Sequence, residues 1–169
     1  MRYSRGDTPP MELPDTLQPI PIGQGELSRP AAAPGLVIAA VGAMVPDALE
    51  AAKTLEAEGI PCAVVNARFI KPLDEALLAR EIGKAKAVIT LEENVLAGGF
   101  GEAVLHMMAR HGLARPARLL GGPDEFVSYG DRADQLAASG LTLPQILETA
   151  RGLWREVSGA LRRRRKRPA

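Results

Sequence analysis

An apolar run that leads through a glycine-rich turn into a helix-like segment constrains the fold of this chain most. The run 87–91 precedes an acidic pair, the turn 97–101 and a helical pattern over 102–111. This order is typical of a strand that ends at the ligand-binding edge of an open α/β sheet. The free N–H groups of such a helix start suit an anion or a carboxylate. Glycines also serve plain helix–sheet packing, and that structural interpretation is favoured.

Two segments supply candidate residues for a rim or an interface at this edge. The candidates are Arg68, Lys71, Glu92, Gly98, Gly99 and Gly101. Arg68 and Lys71 could face an anion or form a salt bridge with Asp74, and the ion pair is favoured. Glu92 and Glu93 are adjacent on a strand and point to opposite faces, so without an irregular backbone they cannot serve one ligand as an acid–base pair. One of them can instead cap the helix start.

Strand-like and helix-like segments alternate from Leu36 onward. Strands are predicted at 36–41, 60–69, 86–91 and 116–120, and helices at 46–58, 75–83, 102–111, 132–138 and 143–161. Alternation of this kind indicates βαβ units and a parallel sheet with helices on both faces. With one short edge strand within 20–27, the predicted class is α/β. The expected architecture is a three-layer α/β/α sandwich around a mostly parallel, five-stranded sheet.

Composition divides the chain into three parts. Residues 1–34 are rich in proline and glycine and read as a connector, 35–158 as the folded domain, and 159–169 as a basic tail. Residues 162–167 carry six positive charges, and without them the net charge of +1 becomes −5. Such a block repels itself, so the tail is predicted to be disordered. Nucleic-acid binding through the tail is a weaker alternative, since no aromatic residues are interleaved for base stacking.

Several function classes are excluded by what the sequence lacks. No apolar run is long enough to cross a bilayer, so no membrane partner is expected. A glycine-rich dinucleotide motif, a phosphate loop, a serine-nucleophile elbow and a metal-ligand cluster are all missing. No catalytic residue and no metal site is therefore predicted. The single cysteine, Cys62, lies in a strand, reads as a buried hydrophobe and fits a reducing cytoplasm.

Six short motifs, read together, identify the chain by resemblance. It resembles the C-terminal domain of the 1-deoxy-D-xylulose-5-phosphate synthase family, whose enzymes are transketolase-like and depend on thiamine diphosphate. The resemblance covers residues 2 to about 150. The motifs are Arg2-Tyr3-Ser4-Arg5-Gly6, Pro21-Ile22-Gly23-Gln24-Gly25-Glu26, Gly42-Ala43-Met44-Val45-Pro46, Asn66 through Asp74, Glu92 through Gly101, and Pro123-Asp124-Glu125-Phe126 with Gly130.

The resemblance implies an activity and implies that the cofactors bind in other domains of the enzyme. The family condenses pyruvate with glyceraldehyde 3-phosphate, releases carbon dioxide and forms 1-deoxyxylulose 5-phosphate, a precursor of isoprenoids, thiamine and pyridoxal phosphate. Thiamine diphosphate and magnesium bind in two upstream domains, so no cofactor is expected in this chain. Arg2, and less firmly Arg5, corresponds to the arginine placed near the substrate phosphate. A homodimer, or upstream thiamine-binding domains, are the expected partners, and the isolated chain is expected to be inactive.

The chain departs from the family pattern at several points. Ser4 replaces a proline next to Arg2, Tyr129 stands where a histidine or glutamine is common, and the basic tail has no counterpart. Met1 falls inside the family's pyrimidine-binding domain, which suggests a fragment or a split subunit. Two alternatives stay open: a stand-alone module that binds an anion or a partner at the rim, and the C-terminal domain of another transketolase-like or 2-oxoacid dehydrogenase subunit.

Overall fold

The computed structural model describes residues 15–16 and 18–165, and for 160–165 the backbone alone. Strands and helices alternate along this part of the chain. A single 3-10 turn, Gly42–Met44, follows the second strand. The elements are β1 (Glu26–Arg29), β2 (Leu36–Ala40), α1 (Val45–Ala57), β3 (Cys62–Asn66), α2 (Glu75–Lys84), β4 (Ala87–Val95), α3 (Phe100–Arg110), β5 (Ala117–Gly122), α4 (Arg132–Ala138) and α5 (Leu143–Arg165).

The strands form one five-stranded sheet in the order β1-β3-β2-β4-β5. The short β1 pairs antiparallel with β3, and the other neighbours are parallel. Helices α1 and α5 pack on one face, and α2 and α3 on the other. The predicted α/β/α sandwich with a mostly parallel, five-stranded sheet is therefore confirmed.

The central strand β2 supplies both faces of the core. Leu36, Ile38 and Ala40 pack with α1 and α5, whereas Val37 and Ala39 pack with α2 and α3. All five residues are fully buried. A strand covered on both faces reads as a continuous apolar run rather than an alternating one, which is why this strand was predictable from the sequence.

Several strands differ in extent from the prediction, and β3, predicted over 60–69, covers only Cys62–Asn66. The edge strand begins at Glu26 because the chain first turns at Pro21, whose carbonyl accepts a hydrogen bond from the Gln24 N–H, and at Gly23, whose φ is +76°. Strand β4 continues to Val95, and its register with β5 shifts between Leu91 and Val95. This irregular strand end carries the acidic pair.

The last helix is longer than predicted. It continues through Arg165, so the first part of the segment 159–169, expected to be disordered, has a helical backbone. Arginine is a good helix former, and positive charge is favourable at a helix C-terminus. Residues 166–169 lie outside the described range.

Cys62 is buried, as the sequence predicts. Burial raises the pKa of its thiol to about 12. The thiolate, which is the reactive form, is therefore scarce at neutral pH.

Helix α5 runs from the carboxyl edge of the sheet back to its amino edge. The Trp154 ring packs against Gly35, just before β2, and Glu156 accepts a hydrogen bond of 2.6 Å from Arg118 at the start of β5. A Cβ at position 35 would lie 2.6 Å from Cζ3 of Trp154. Only glycine leaves room for this ring, so the contact fixes where α5 crosses the sheet.

Replacing Gly35 tests this contact. We expect Gly35→Ala to lower the free energy of unfolding by about 1–3 kcal/mol, because the new methyl group must displace the indole ring. Urea unfolding followed by circular dichroism measures the change. Gly152→Ala is the matched control: a Cβ at Gly152 in α5 meets no atom within 4 Å. It should raise stability by about 0.5–1 kcal/mol through helix propensity. Equal stability of the two variants would contradict the packing role of Gly35.

Candidate functional site

The carboxyl edge of the parallel strands is where the sequence placed the candidate residues. The connections after β2 and after β4 leave these neighbouring strands toward opposite faces of the sheet, so a topological switch point lies between them. Binding sites of open α/β sheets gather at such a point. What the edge can bind depends on which polar groups are already engaged there.

Glu92 engages the start of helix α3. Its side chain is fully buried, and its two carboxylate oxygens accept hydrogen bonds of 2.8 Å from the N–H groups of Phe100 and Gly101. A negative charge at a helix N-terminus is favourable, and these donors would otherwise be buried and unsatisfied. The anion position at this helix is therefore filled by the chain's own carboxylate, as the predicted capping role requires.

The three candidate glycines each have a structural reason. A Cβ at Gly99 would lie 2.6 Å from Oε2 of Glu92, and one at Gly101 would lie 2.7 Å from Oγ1 of Thr90. Gly98 has a φ of +69°, and its N–H donates to Glu102 over 2.8 Å. The turn thus brings the helix backbone close enough for the buried carboxylate to reach it.

Arg68 and Lys71 lie on the other side of the switch point, after β3. Because β2 separates β3 from β4, the two groups of candidates are two strand spacings, about 10 Å, apart. Arg68 adopts a φ of +56°, donates its N–H to Oδ1 of Asn66 over 3.1 Å, and contacts Oε2 of Glu26 at 2.6 Å. Lys71 is exposed. The fold therefore does not unite the six candidates in one pocket.

The favoured ion pair of Arg68 or Lys71 with Asp74 is not the one observed. The carboxylate of Asp74 accepts the N–H of Leu77 at the start of α2 and the N–H of Gly25 before β1, each over 2.9 Å. Both of its oxygens are used by backbone donors, so Arg68 pairs with Glu26 instead. The predicted cap of α2 by Asp74 is confirmed.

A charged cluster at the switch point was not predicted. Nε of Arg132 donates to Oε1 of Glu93 over 2.8 Å, which ties α4 to the end of β4. Burial raises the pKa of nearby Asp47 above its ordinary value, with Arg132 opposing the rise and Glu93 adding to it. The only signal in the sequence was positional, since Asp47 follows β2 and Glu93 lies near the end of the neighbouring strand β4.

A second feature missed from the sequence is a cleft of about 330 Å³ between the loop 123–130 and α4. Phe126 and Tyr129 beside it are fully exposed, although both are aromatic. The loop was read as irregular, and its exposure could not be inferred from residue type.

Some sequence-based expectations cannot be placed. Arg2 and Arg5 lie outside the described residues, so their role near a phosphate stays a prediction. Among residues 15–16 and 18–165 there is no group of three or more histidine, cysteine or carboxylate side chains arranged to hold a metal ion. In that same part of the chain, none of the helices combines the length and the apolar character needed to span a bilayer.

Removing the Glu92 carboxylate tests its role. We expect Glu92→Ala to lower the free energy of unfolding by about 2–5 kcal/mol, because two buried N–H groups lose a charged acceptor. Urea unfolding measures the loss, and faster amide hydrogen exchange at Phe100 and Gly101 locates it. Glu102→Ala is the control: its exposed carboxylate accepts only the Gly98 N–H, so the cost should stay below about 1 kcal/mol. Equal costs would contradict the assignment.

Comparison with known proteins identifies the domain. Residues 23–146 match the family model described as "Transketolase, C-terminal domain". The 1-deoxy-D-xylulose-5-phosphate synthase of Heliobacterium modesticaldum is 44% identical over 153 residues, which cover 90% of this chain and 23% of the relative. The 1-deoxy-D-xylulose-5-phosphate synthase 2 of Geobacter sulfurreducens is 46% identical over 142 residues, which cover 83% and 22%. The chain thus spans about a quarter of the length of these curated relatives.

Solved structures agree on the fold. A structure titled "Split gene transketolase, inactive beta4 tetramer" superposes with a TM-score of 0.71 at 31% identity, covering 83% of this chain and 45% of that one. The transketolase of Campylobacter jejuni superposes with a TM-score of 0.57 at 17% identity, covering 77% and 18%, and shares the fold. Since the family match takes in most of the chain, the protein belongs to the transketolase C-terminal domain family and corresponds to the C-terminal part of 1-deoxy-D-xylulose-5-phosphate synthases.

Proposed function

We propose that this chain is the C-terminal domain of a 1-deoxy-D-xylulose-5-phosphate synthase and works together with a region that binds thiamine diphosphate and magnesium. The complete enzyme condenses pyruvate with glyceraldehyde 3-phosphate to 1-deoxyxylulose 5-phosphate and carbon dioxide. The observation that carries the proposal is the identity of 41–46% to such synthases along most of the chain.

The domain's own part in that enzyme is structural. The start of α3 does not fit a thiamine diphosphate, because the Glu92 carboxylate already fills the position that could take a diphosphate. The thiazolium chemistry that such a reaction needs is supplied by the cofactor when it is bound elsewhere. This chain braces the neighbouring region.

The proposed partners are a thiamine-binding region, on the same polypeptide or on a separate subunit, and a second copy of this chain. The similar split-gene transketolase chain is described as an inactive tetramer. That description supports both self-association and lack of activity in the absence of the complementary region. A cytoplasmic location is proposed as well, on the basis of the single buried Cys62.

An exchange of domains tests this proposal. We expect a chimera, in which this chain replaces the C-terminal domain of the H. modesticaldum synthase, to form 1-deoxyxylulose 5-phosphate in a coupled assay. The isolated chain, given thiamine diphosphate, magnesium and both substrates, should not turn over. A second chimera carrying Glu102→Ala should stay active, since that carboxylate has a single exposed contact.

Two results would overturn the proposal. Turnover by the isolated chain would place a catalytic centre within it. A chimera that folds and binds thiamine diphosphate but stays inactive would mean that the domain serves another reaction. Saturable micromolar binding of a phosphorylated sugar to the isolated chain, lost in Lys71→Ala, would favour the stand-alone module instead.

Arg2 is proposed to contact the substrate phosphate in the assembled enzyme. A guanidinium–phosphate contact contributes about 1.5–3 kcal/mol. In the active chimera, Arg2→Ala should therefore raise the KM for glyceraldehyde 3-phosphate by about tenfold or more, while the KM for pyruvate stays within about twofold. Arg118→Ala removes an exposed arginine near the start of β5 and serves as the control. A uniform rise in both KM values would contradict a phosphate-specific role.

A further inference from the structure

The loop between β5 and α4 exposes aromatic surface that this domain leaves uncovered. Phe126 and Tyr129 have relative exposures of 106% and 102%, and Val127 is also exposed. They border the cleft of about 330 Å³ whose other wall is formed by α4 and Ser139. Exposed aromatic side chains around a cleft are characteristic of interaction sites. We call this surface the aromatic cleft.

Two acidic side chains, Glu125 and Asp134, line the aromatic cleft, and Asp124 and Asp131 are close to them in the sequence. Asp124, Glu125, Asp131 and Asp134 are all exposed. None of the four has an ion-pair partner among the residues that the structure describes. Arg132, the one basic residue in this stretch, is engaged by Glu93. The cleft therefore presents aromatic rings beside carboxylates that have no ion-pair partner in the described part of the chain, which suits a cationic partner with planar donor groups.

The chain itself carries such a partner at the opposite end of α5. The basic block 162–167 contributes five arginines and one lysine. The cleft adjoins the start of α5, where Nε2 of Gln145 donates to the carbonyl of Ala137 over 3.2 Å. The helix then runs past Gly35 to Arg165. Its 23 residues span about 34 Å.

The basic block cannot reach the cleft of its own chain. Its first four residues continue the helical backbone to Arg165. The remaining two residues can extend only about 7 Å, far less than the length of α5. A contact between the two features must therefore join two copies.

We propose that the chain self-associates by inserting the basic block 162–167 of each copy into the aromatic cleft of the other. Guanidinium groups stack on the rings of Phe126 and Tyr129 and pair with the surrounding carboxylates. Because each copy offers one block and one cleft at opposite ends of α5, exchange of both contacts closes a twofold dimer with antiparallel α5 helices. This inference rests on the proposed self-association, and it is independent of the synthase reaction.

Sedimentation velocity on the isolated chain, freed of nucleic acid with nuclease, tests the proposal. The wild-type chain should sediment as a dimer at micromolar concentration, and its dissociation constant should rise at least tenfold between 50 mM and 500 mM salt. Replacing all six basic residues of the block with glutamine, or making Phe126→Ser with Tyr129→Ser, should each give monomers. The matched control is Lys53→Gln with Lys86→Gln and Arg155→Gln, which removes exposed positive charge elsewhere and should leave the dimer intact.

Mixing and crosslinking experiments test whether the basic block of one copy contacts the aromatic cleft of the other. Equimolar block-substituted and cleft-substituted chains should form a mixed dimer weaker than wild type, since one of the two contacts remains. A photocrosslinker at position 129 should join isotopically distinct copies through the segment 162–167. Monomeric wild-type chain, a dimer that survives both sets of substitutions, or crosslinks outside that segment would each overturn the proposal. So would a monomer whose basic block binds duplex DNA. The activity of the chimera is measured separately, so failure here leaves the proposed role in the synthase reaction unaffected.

Discussion

The buried carboxylate of Glu92 is the interaction on which the carboxyl edge of this domain depends. It lies at the end of a core strand and bonds to the first N–H groups of α3. Burying a charge is costly unless it is paired or hydrogen-bonded, and here the helix start supplies both donors and a favourable dipole. Gly99 and Gly101 follow from the same requirement, because any side chain at either position would collide with Glu92 or Thr90. The Glu92 contact thus accounts for Gly99, and the close approach of α3 to β4 accounts for Gly101.

The elements that could be predicted from sequence are those in which local pattern and tertiary burial agree. Strand β2 reads as a strand because it is covered on both faces, and Asp74 reads as a cap because its carboxylate reaches the N–H three residues on. Prediction failed where a partner comes from far along the chain. Arg68 pairs with Glu26, 42 residues away, and no local spacing could have revealed that contact. The alternation of strand-like and helix-like segments predicted the fold, whereas residue chemistry alone left the reaction open and only the family resemblance pointed to one.

The exposed aromatic residues and the charged cluster could not be predicted from local sequence. Nothing in the residue types of Phe126 and Tyr129 signals that they face solvent, since aromatic residues are more often buried. Their exposure becomes visible only when the path of the loop after β5 is known. The cluster of Asp47, Glu93 and Arg132 likewise needs the strand order, because it joins the first turn of α1 and the end of β4 with α4. These are the places where topology rather than sequence determines the surface.

The antiparallel edge strand has a mechanical consequence. Its first residue, Glu26, pairs with Asn66 at the carboxyl end of β3, and its last, Arg29, pairs with Val64. Tension applied through the preceding residues would act first on the hydrogen bonds at Glu26. Because β1 and β3 are antiparallel, the pairs between them would then break one after another. The Gly25–Asp74 hydrogen bond and the Glu26–Arg68 ion pair fasten that loaded end. Strand β1 is therefore held by side-chain contacts at the end where such a force would act. Because Asp74 both bonds Gly25 and caps α2, the force would reach the start of α2 before it reached the core strands.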